Sequence, residues 1–562
     1  MELEPDLPLA LLIQPPVYDF ALYDLYLRPY GLLRIGRWLA EAGWKVVFID
    51  GLYCQLGLES GGLSGFSEGG PIPGGVSLIR PRAPRRKPDG TGKFFRQPVE
   101  TPRILEPLLK PRVERGEWTK RFARYGMSVE EFRLRVRNLW GEEWGPLQLE
   151  VEEQGNARKC RDIPFAEPPA RGSGSPLKPL GGEGRVGGAL GVLRKGRHPD
   201  LILISSGMTY WYLGVEEAAR ICREEHPESP LFVGGVYATL LPEHCLRISG
   251  ADGVIVGEDL EPLKKVLNAR GLPIPNEPVS DRPIPFPSVW KEAGIIRLNT
   301  GCPLRCSYCA SGLLSPRFKQ GNPERAWKAF LELYETCGTR NFAFYDDALL
   351  FRKEEVLLPF LEQVIRYQEH RGKGTGTYQV VEGSSNLEGM TMAKQLRTDQ
   401  EARFYLPNGV HVNSLDLPTA QLMRRAGVAE IRLGFESASE EFHQRYDGKV
   451  ASEQFLEVVS ILKQAGYEAQ DISVYLLVGL PGQRAEEVEA SIRFVKPLGV
   501  RVRLAEYSPV PSTRLWGESV QQCPFPLEEE PLFHNNSLFA LEWEGFPYQR
   551  LLELKGMATG DS

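Results

Sequence analysis

Short apolar runs alternate with amphipathic helical stretches in two separate blocks of this chain, and that alternation confines it to parallel α/β architecture. In the first block, 9–13 and 45–50 read as strands around a helix at 31–43, with Leu32, Ile35, Leu39 and Ala42 on one face and Gly43 as its stop. The rhythm resumes with strands at 200–206, 231–235 and 252–256 and with helices near 213–225 and 242–249. Five strands joined by helices make a doubly wound sheet. The second block carries six candidate strands, at 295–300, 341–345, 410–413, 430–434, 472–478 and 501–505. Helices fall between them, as at 453–464, and the repeat predicts a partial (βα)6 barrel with ligands at the strands' C-terminal ends.

At 562 residues the chain is too long for one core. The sequence divides into a first domain at 1–275, a proline-rich linker at 276–290, the barrel at 291–510 and a carboxy-terminal extension at 511–562 that packs against the barrel mouth. Glycine- and proline-rich stretches at 57–92 and 164–199 mark 55–196 as an insertion, partly flexible, with a solvated basic knot at 80–87 and a helix N-capped by Ser128. A second interruption at 370–405 reads as a surface insertion. A net charge of −6 gives no basic field for nucleic acid or an anionic membrane. No apolar run reaches membrane-spanning length and the amino terminus is acidic, so a cytoplasmic location is expected.

Three of the nine cysteines, Cys302, Cys306 and Cys309, fall on the loop leaving the first barrel strand. Thiolates this close can converge on zinc or on an iron–sulfur cluster. A structural zinc site wants four ligands, and the nearest further cysteine, Cys337, stands at the apparent end of a helix. Three cysteines on a [4Fe–4S] cluster leave one iron open. Buried thiols or a partial zinc site are the alternative reading.

The spacing CxxxCxxC, with Tyr308 before the last cysteine, resembles the radical S-adenosylmethionine (SAM) superfamily. That resemblance implies that SAM chelates the open iron and that the reduced cluster cleaves it to a 5′-deoxyadenosyl radical. It also implies an electron donor such as flavodoxin or ferredoxin. Tyr308 is expected against the adenine, and Asp346 and Asp347, ending the second strand, near the SAM amino group. Glu436, ending the fourth strand, resembles the family's polar contact to SAM; Gly479 and Gly482, in Gly-Leu-Pro-Gly, resemble the segment beside the adenine. Helix capping is the alternative for the carboxylates, and an ordinary turn for the glycines.

The amino-terminal block carries a second resemblance, to the cobalamin (B12)-binding domains that precede many radical SAM barrels. Pro15-Pro16, Gly31-Leu32-Leu33 and Asp50 match its start. Ser205, Ser206, Thr209, Gly234, Gly235, Gly257 and Glu258 match its later loops, where small residues let a large planar ligand approach the backbone. An ordinary nucleotide-type sheet, or one that binds nothing, remains open. No Asp-x-His-x-x-Gly occurs, which argues against a protein histidine on cobalt. Tyr210-Trp211-Tyr212 reads as cavity lining or core, and His534-Asn535-Asn536 as a solvated turn.

These resemblances imply a Rossmann-like B12-binding domain followed by a radical SAM barrel, using a [4Fe–4S] cluster, SAM and cobalamin to methylate an unactivated carbon of an unidentified substrate. A radical rearrangement or cyclisation and a non-enzymatic cobalamin or iron sensor are the competing readings. A methylthiotransferase would want a second cysteine triad, which the isolated Cys54 and Cys160 do not form.

Overall fold

The computed structural model describes residues 7–24, 26–53, 94–139, 142–144, 197–371, 401–448 and 452–560. The strands of the first half are β1 (Leu9–Gln14), β2 (Val17–Asp19), β3 (Lys45–Asp50), β4 (Arg96–Pro98), β5 (Ala123–Tyr125), β6 (Glu142–Trp144), β7 (Leu201–Ser206), β8 (Leu231–Gly235) and β9 (Gly253–Ile255). Six of them form one sheet in the order β6-β3-β1-β7-β8-β9, parallel except for β6 at its edge. The strand order reverses between β1 and β7, so their C-terminal ends open a crevice where doubly wound sheets take ligands. β1 is buried at every position, as a central strand covered on both faces requires.

The expected insertion contains folded structure that the sequence reading left out. β2, β5 and β4 pair as a small antiparallel sheet, and Leu105, Phe122, Phe132 and Val136 join the main core. Ser128 caps its helix as expected, its hydroxyl accepting the Glu131 N–H at 3.1 Å. Arg124 and Glu217 form a buried ion pair at 2.5 Å between this segment and the helix Tyr212–Glu225. The stretches 57–92 and 164–196, the basic knot, Cys54, Cys160 and residues 372–400 lie outside the described residues.

The linker runs along the helix Tyr30–Glu41, whose polar side chains donate to its backbone carbonyls. Arg34 donates to the Ser280 carbonyl at 2.6 Å, Tyr30 to Asp281 at 2.7 Å and Trp38 to Glu277 at 2.7 Å. The linker donates once in return, from the Ile284 N–H to the Leu33 carbonyl at 3.2 Å.

The second half holds β10 (Gly294–Ile296), β11 (Asn341–Phe344), β12 (Arg403–Tyr405), β13 (Ile431–Glu436), β14 (Ile472–Val478) and β15 (Arg501–Glu506). They make two three-stranded parallel sheets, β10-β11-β12 and β13-β14-β15. Single parallel bridges, Phe404 with Val428 and Val410 with Leu433, connect the two. Among the described residues no ladder joins β10 to β15. The third strand is a correction: it lies at Arg403–Tyr405, inside the stretch read as an insertion. Pro407-Asn408-Gly409 breaks the chain after it, and Val412–Ser414 is a 3-10 turn feeding the helix capped by Asp416. β10 also ends earlier than expected, at Ile296, and the Asp346 carboxylate takes the Leu298 and Asn299 N–H groups beyond it.

The carboxy-terminal extension packs against both halves. Phe539 lies against Gly479, and His534, 1% exposed, reaches Thr209. The solvated turn expected at 534–536 is therefore wrong for His534 and Asn535, which are buried against the first domain; Asn535 donates to Asp19 at 2.8 Å.

Candidate active site

The cysteines sit on the loop between β10 and the helix Pro323–Thr336. Thr300 and Lys319 pair across its base, with N–H···O distances of 3.0 and 2.9 Å. Gly301 stands at φ +80°, and a Cβ there would meet the Arg317 and Ser315 carbonyls near 3.0 Å, so the residue before Cys302 must be glycine. Ser307, between the second and third cysteines, donates its N–H to the Tyr446 carbonyl at 2.8 Å and accepts from Leu515 of the extension at 3.1 Å.

Cys302, Cys306 and Cys309 line one cavity of about 680 Å³ at the C-terminal ends of the strands. Cys302 is buried, Cys306 half-buried and Cys309 exposed, grading from the wall to the mouth. Among the described residues no three Cys, His, Asp or Glu side chains converge on a single-ion point. Ligands of a cluster sit on separate irons and need no such convergence, so the donor set fits a [4Fe–4S] group better than a lone zinc.

Tyr308, Asp347 and Glu436 line the same cavity. The Tyr308 hydroxyl donates to Asp447 at 3.0 Å, and burial first, then the nearby Glu436 carboxylate, push its phenol well up. Glu436 ends β13 where the register against β14 shifts, and its backbone is held at φ +67°. That conformation is strained for a residue with a Cβ, and the bulge aims the carboxylate at the cavity. Asp347 accepts from the Ser311 hydroxyl at 3.1 Å; burial raises its carboxyl, and that hydrogen bond works the other way.

Asp346, Gly479 and Gly482 are placed differently from expectation. Asp346 is buried beneath the loop and does not line the cavity; it accepts the backbone N–H groups of Leu298 at 2.9 Å and Asn299 at 2.6 Å. Burial pushes its carboxyl up to about 7 against the pull of those two donors. The Gly479 N–H is taken by Gln483 at 2.7 Å and the Gly482 N–H by Gln522 at 2.7 Å, and Gly479 faces the Phe539 ring. Asn408, His411, Tyr475 and Arg514 line the cavity without having been singled out; Asn408 follows the strand the sequence reading misplaced.

The residues matched to cobalamin gather along the C-terminal edge of the large sheet, after β1, β7, β8 and β9. Their hydroxyls are engaged within the fold. Ser205 donates to Gln14 at 2.7 Å, Ser206 donates to the Gly234 carbonyl at 2.8 Å, and Thr209 meets His534 at 2.9 Å. Glu258 pairs with Lys319 of the cysteine loop at 2.6 Å. Pro15 and Pro16 are buried, Pro16 against Gly214 of the helix Tyr212–Glu225, whereas Gly235 and Gly257 are exposed at positive φ and leave bare backbone at the edge.

Parallel strands carry a cysteine trio at their C-terminal mouth, a donor set suited to an iron–sulfur cluster. Residues 296–495 match the family model of the radical SAM superfamily. The chain thus carries a radical SAM domain at residues 296–495, a domain of a superfamily that uses a [4Fe–4S] cluster and SAM. It is similar to an uncharacterized methyltransferase of Pyrococcus horikoshii, 21% identical over 62% of this chain and 72% of that one. It is also similar to a tRNA-2-methylthio-N(6)-dimethylallyladenosine synthase of Fervidobacterium nodosum, 24% identical over 26% of this chain and 35% of the relative. Among solved structures it is similar to the radical SAM methyltransferase TsrM of Kitasatospora setae, with TM-score 0.45, 15% identity and coverage of 58% of this chain and 66% of that one. Among the described residues no helix is long and apolar enough to cross a membrane.

Proposed function

We propose that the protein is a cobalamin-dependent radical SAM methyltransferase acting on an unactivated carbon. The observation that carries the reading is the single cavity lined by Cys302, Cys306, Cys309 and Glu436 at the strands' C-terminal ends. The methyltransferase relative from Pyrococcus horikoshii supports it. When bound, the cluster and SAM supply radical chemistry and cobalamin supplies the methyl group.

In this reading the three cysteines hold the cluster. Glu436 binds SAM by accepting hydrogen bonds from its ribose hydroxyls, and Tyr308, fixed by Asp447, closes the wall beside the adenine and excludes water. The bare backbone at Gly235 and Gly257 suits a large planar ligand lying along the sheet edge, while Ser205, Ser206 and Thr209 hold the loops that frame it. Electrons come from a donor of the flavodoxin or ferredoxin type.

The test is an anaerobic assay of reconstituted protein that follows 5′-deoxyadenosine and S-adenosylhomocysteine together. Methyl transfer yields both products. Deoxyadenosine alone would establish rearrangement or cyclisation instead, and cobalamin retention without SAM cleavage would establish a sensor. Triple Cys→Ala replacement removes the cubane spectrum; a spectrum that survives it refutes the cysteine assignment.

A further inference from the structure

Two arginines, Arg305 and Arg514, line the cavity and reach solvent there. Arg305 lies in the cysteine loop next to Cys306, whereas Arg514 belongs to the carboxy-terminal extension, beyond the matched domain. Arg305 donates to the Pro316 carbonyl at 3.2 Å, and Arg514 donates to the Arg305 carbonyl. Among the described residues neither guanidinium meets a carboxylate, although Asp347 and Glu436 line the same cavity. The other arginine of the extension, Arg550, pairs with both Glu489 and Glu553.

The backbone that carries Arg514 is fixed on both sides. Leu515 donates its N–H to the Ser307 carbonyl at 3.1 Å, and the Thr513 hydroxyl donates to the Val510 carbonyl at 2.7 Å. Ser512 stands at φ +66°, a conformation strained for a residue with a Cβ. A guanidinium keeps its charge at any working pH and holds five N–H donors in a planar fork. One of these is spent on the Arg305 carbonyl, and the rest are left to a ligand. Carboxylate and phosphate are the groups whose oxygens match that fork. We propose that Arg514, with the second cation at Arg305, is the specificity-determining residue of the substrate subsite and takes a carboxylate or phosphate group of the substrate. The inference rests on the methyltransferase reading above and adds the class of its substrate, an anion.

The experiment is anaerobic titration calorimetry on the reconstituted, SAM-loaded full chain, with benzoate, phenyl phosphate and neutral benzamide as probes and SAM itself titrated separately. Wild type is expected to bind at least one anion about tenfold tighter than benzamide, the equivalent of one charge-assisted pair. The tighter anion names the group. Arg514→Gln is expected to abolish that preference, and Arg514→Lys, which keeps the charge without the fork, to leave it in between. A wild type that prefers neither anion, or a preference that survives Arg514→Gln, overturns the inference. A larger loss for SAM than for the anions in Arg514→Gln overturns it too, by placing the guanidinium on the SAM carboxylate. So does failure of both variants to take up iron, which would make the side chain a fold contact only. A wild type without a cubane spectrum or SAM binding would sink the proposed function itself, which keeps the two failures distinct.

Discussion

The hydroxyl of Thr209, just beyond β7 in the first domain, lies 2.9 Å from Nδ1 of His534 in the carboxy-terminal extension. The other ring nitrogen meets the Leu527 carbonyl at 2.8 Å, so the imidazole is neutral, protonated on Nε2 and accepting on Nδ1. Burial is the main reason its pKa is lowered to about 4.

A histidine depressed in this way binds its proton in the unfolded chain first. The stability it contributes is present above the unfolded value near 6.5 and is lost as pH falls toward about 4. Over that window the loss reaches up to about 3 kcal/mol. Denaturant unfolding at several pH values should show a shallower acid slope for His534→Gln than for wild type.

Asp346→Ala should destabilise the chain by about 2–4 kcal/mol, because two buried N–H groups lose their acceptor. Those donors, Leu298 and Asn299, lead into the cysteine loop, so iron content per chain after reconstitution should fall in the same variant.

Glu436→Gly separates strain from function. Relief of the positive φ should raise stability by about 1 kcal/mol in thermal unfolding. Loss of the carboxylate should weaken SAM binding by about tenfold, the equivalent of one charge-assisted hydrogen bond.

Gly479 stands at φ +91°, and a Cβ there would lie 2.6 Å from the Phe539 ring. Gly479→Ala should therefore cost about 2–4 kcal/mol. Adding Phe539→Leu should recover part of that loss, and a double-mutant cycle measures how much.

The longer parallel strands of both halves were legible because buried parallel strands write themselves as apolar runs. Leu201–Ser206 and Ile472–Val478 stand out against any background. Arg403–Tyr405 did not, being three residues long with one exposed arginine, while the better alternation at 410–413 was spent on a single bridge and a turn. The antiparallel trio β2, β4 and β5 was missed for the same reason: three-residue strands carry no period. Around the site, spacing singled out the cysteines and strand position singled out Glu436, and all four line the cavity. Nothing in Asp346-Asp347 distinguishes the carboxylate that turns under the loop from the one that faces the cavity. That choice depends on which backbone donors lie within reach. His534 and Asn535 read as polar surface because their partners, Thr209 and Asp19, are hundreds of residues away in sequence.

Arg112 bears on how such a protein can change over generations. Its guanidinium donates to the Leu538 and Phe539 carbonyls, pairs with Glu542 and stacks 4.1 Å over Tyr548. A gene fragment starting at the barrel would encode these acceptors without their cation, and one stopping before residue 511 would leave a desolvated charge behind. Recombination that moves the barrel onto a new partner must therefore carry the segment around Arg112 and the extension together, or redesign this joint.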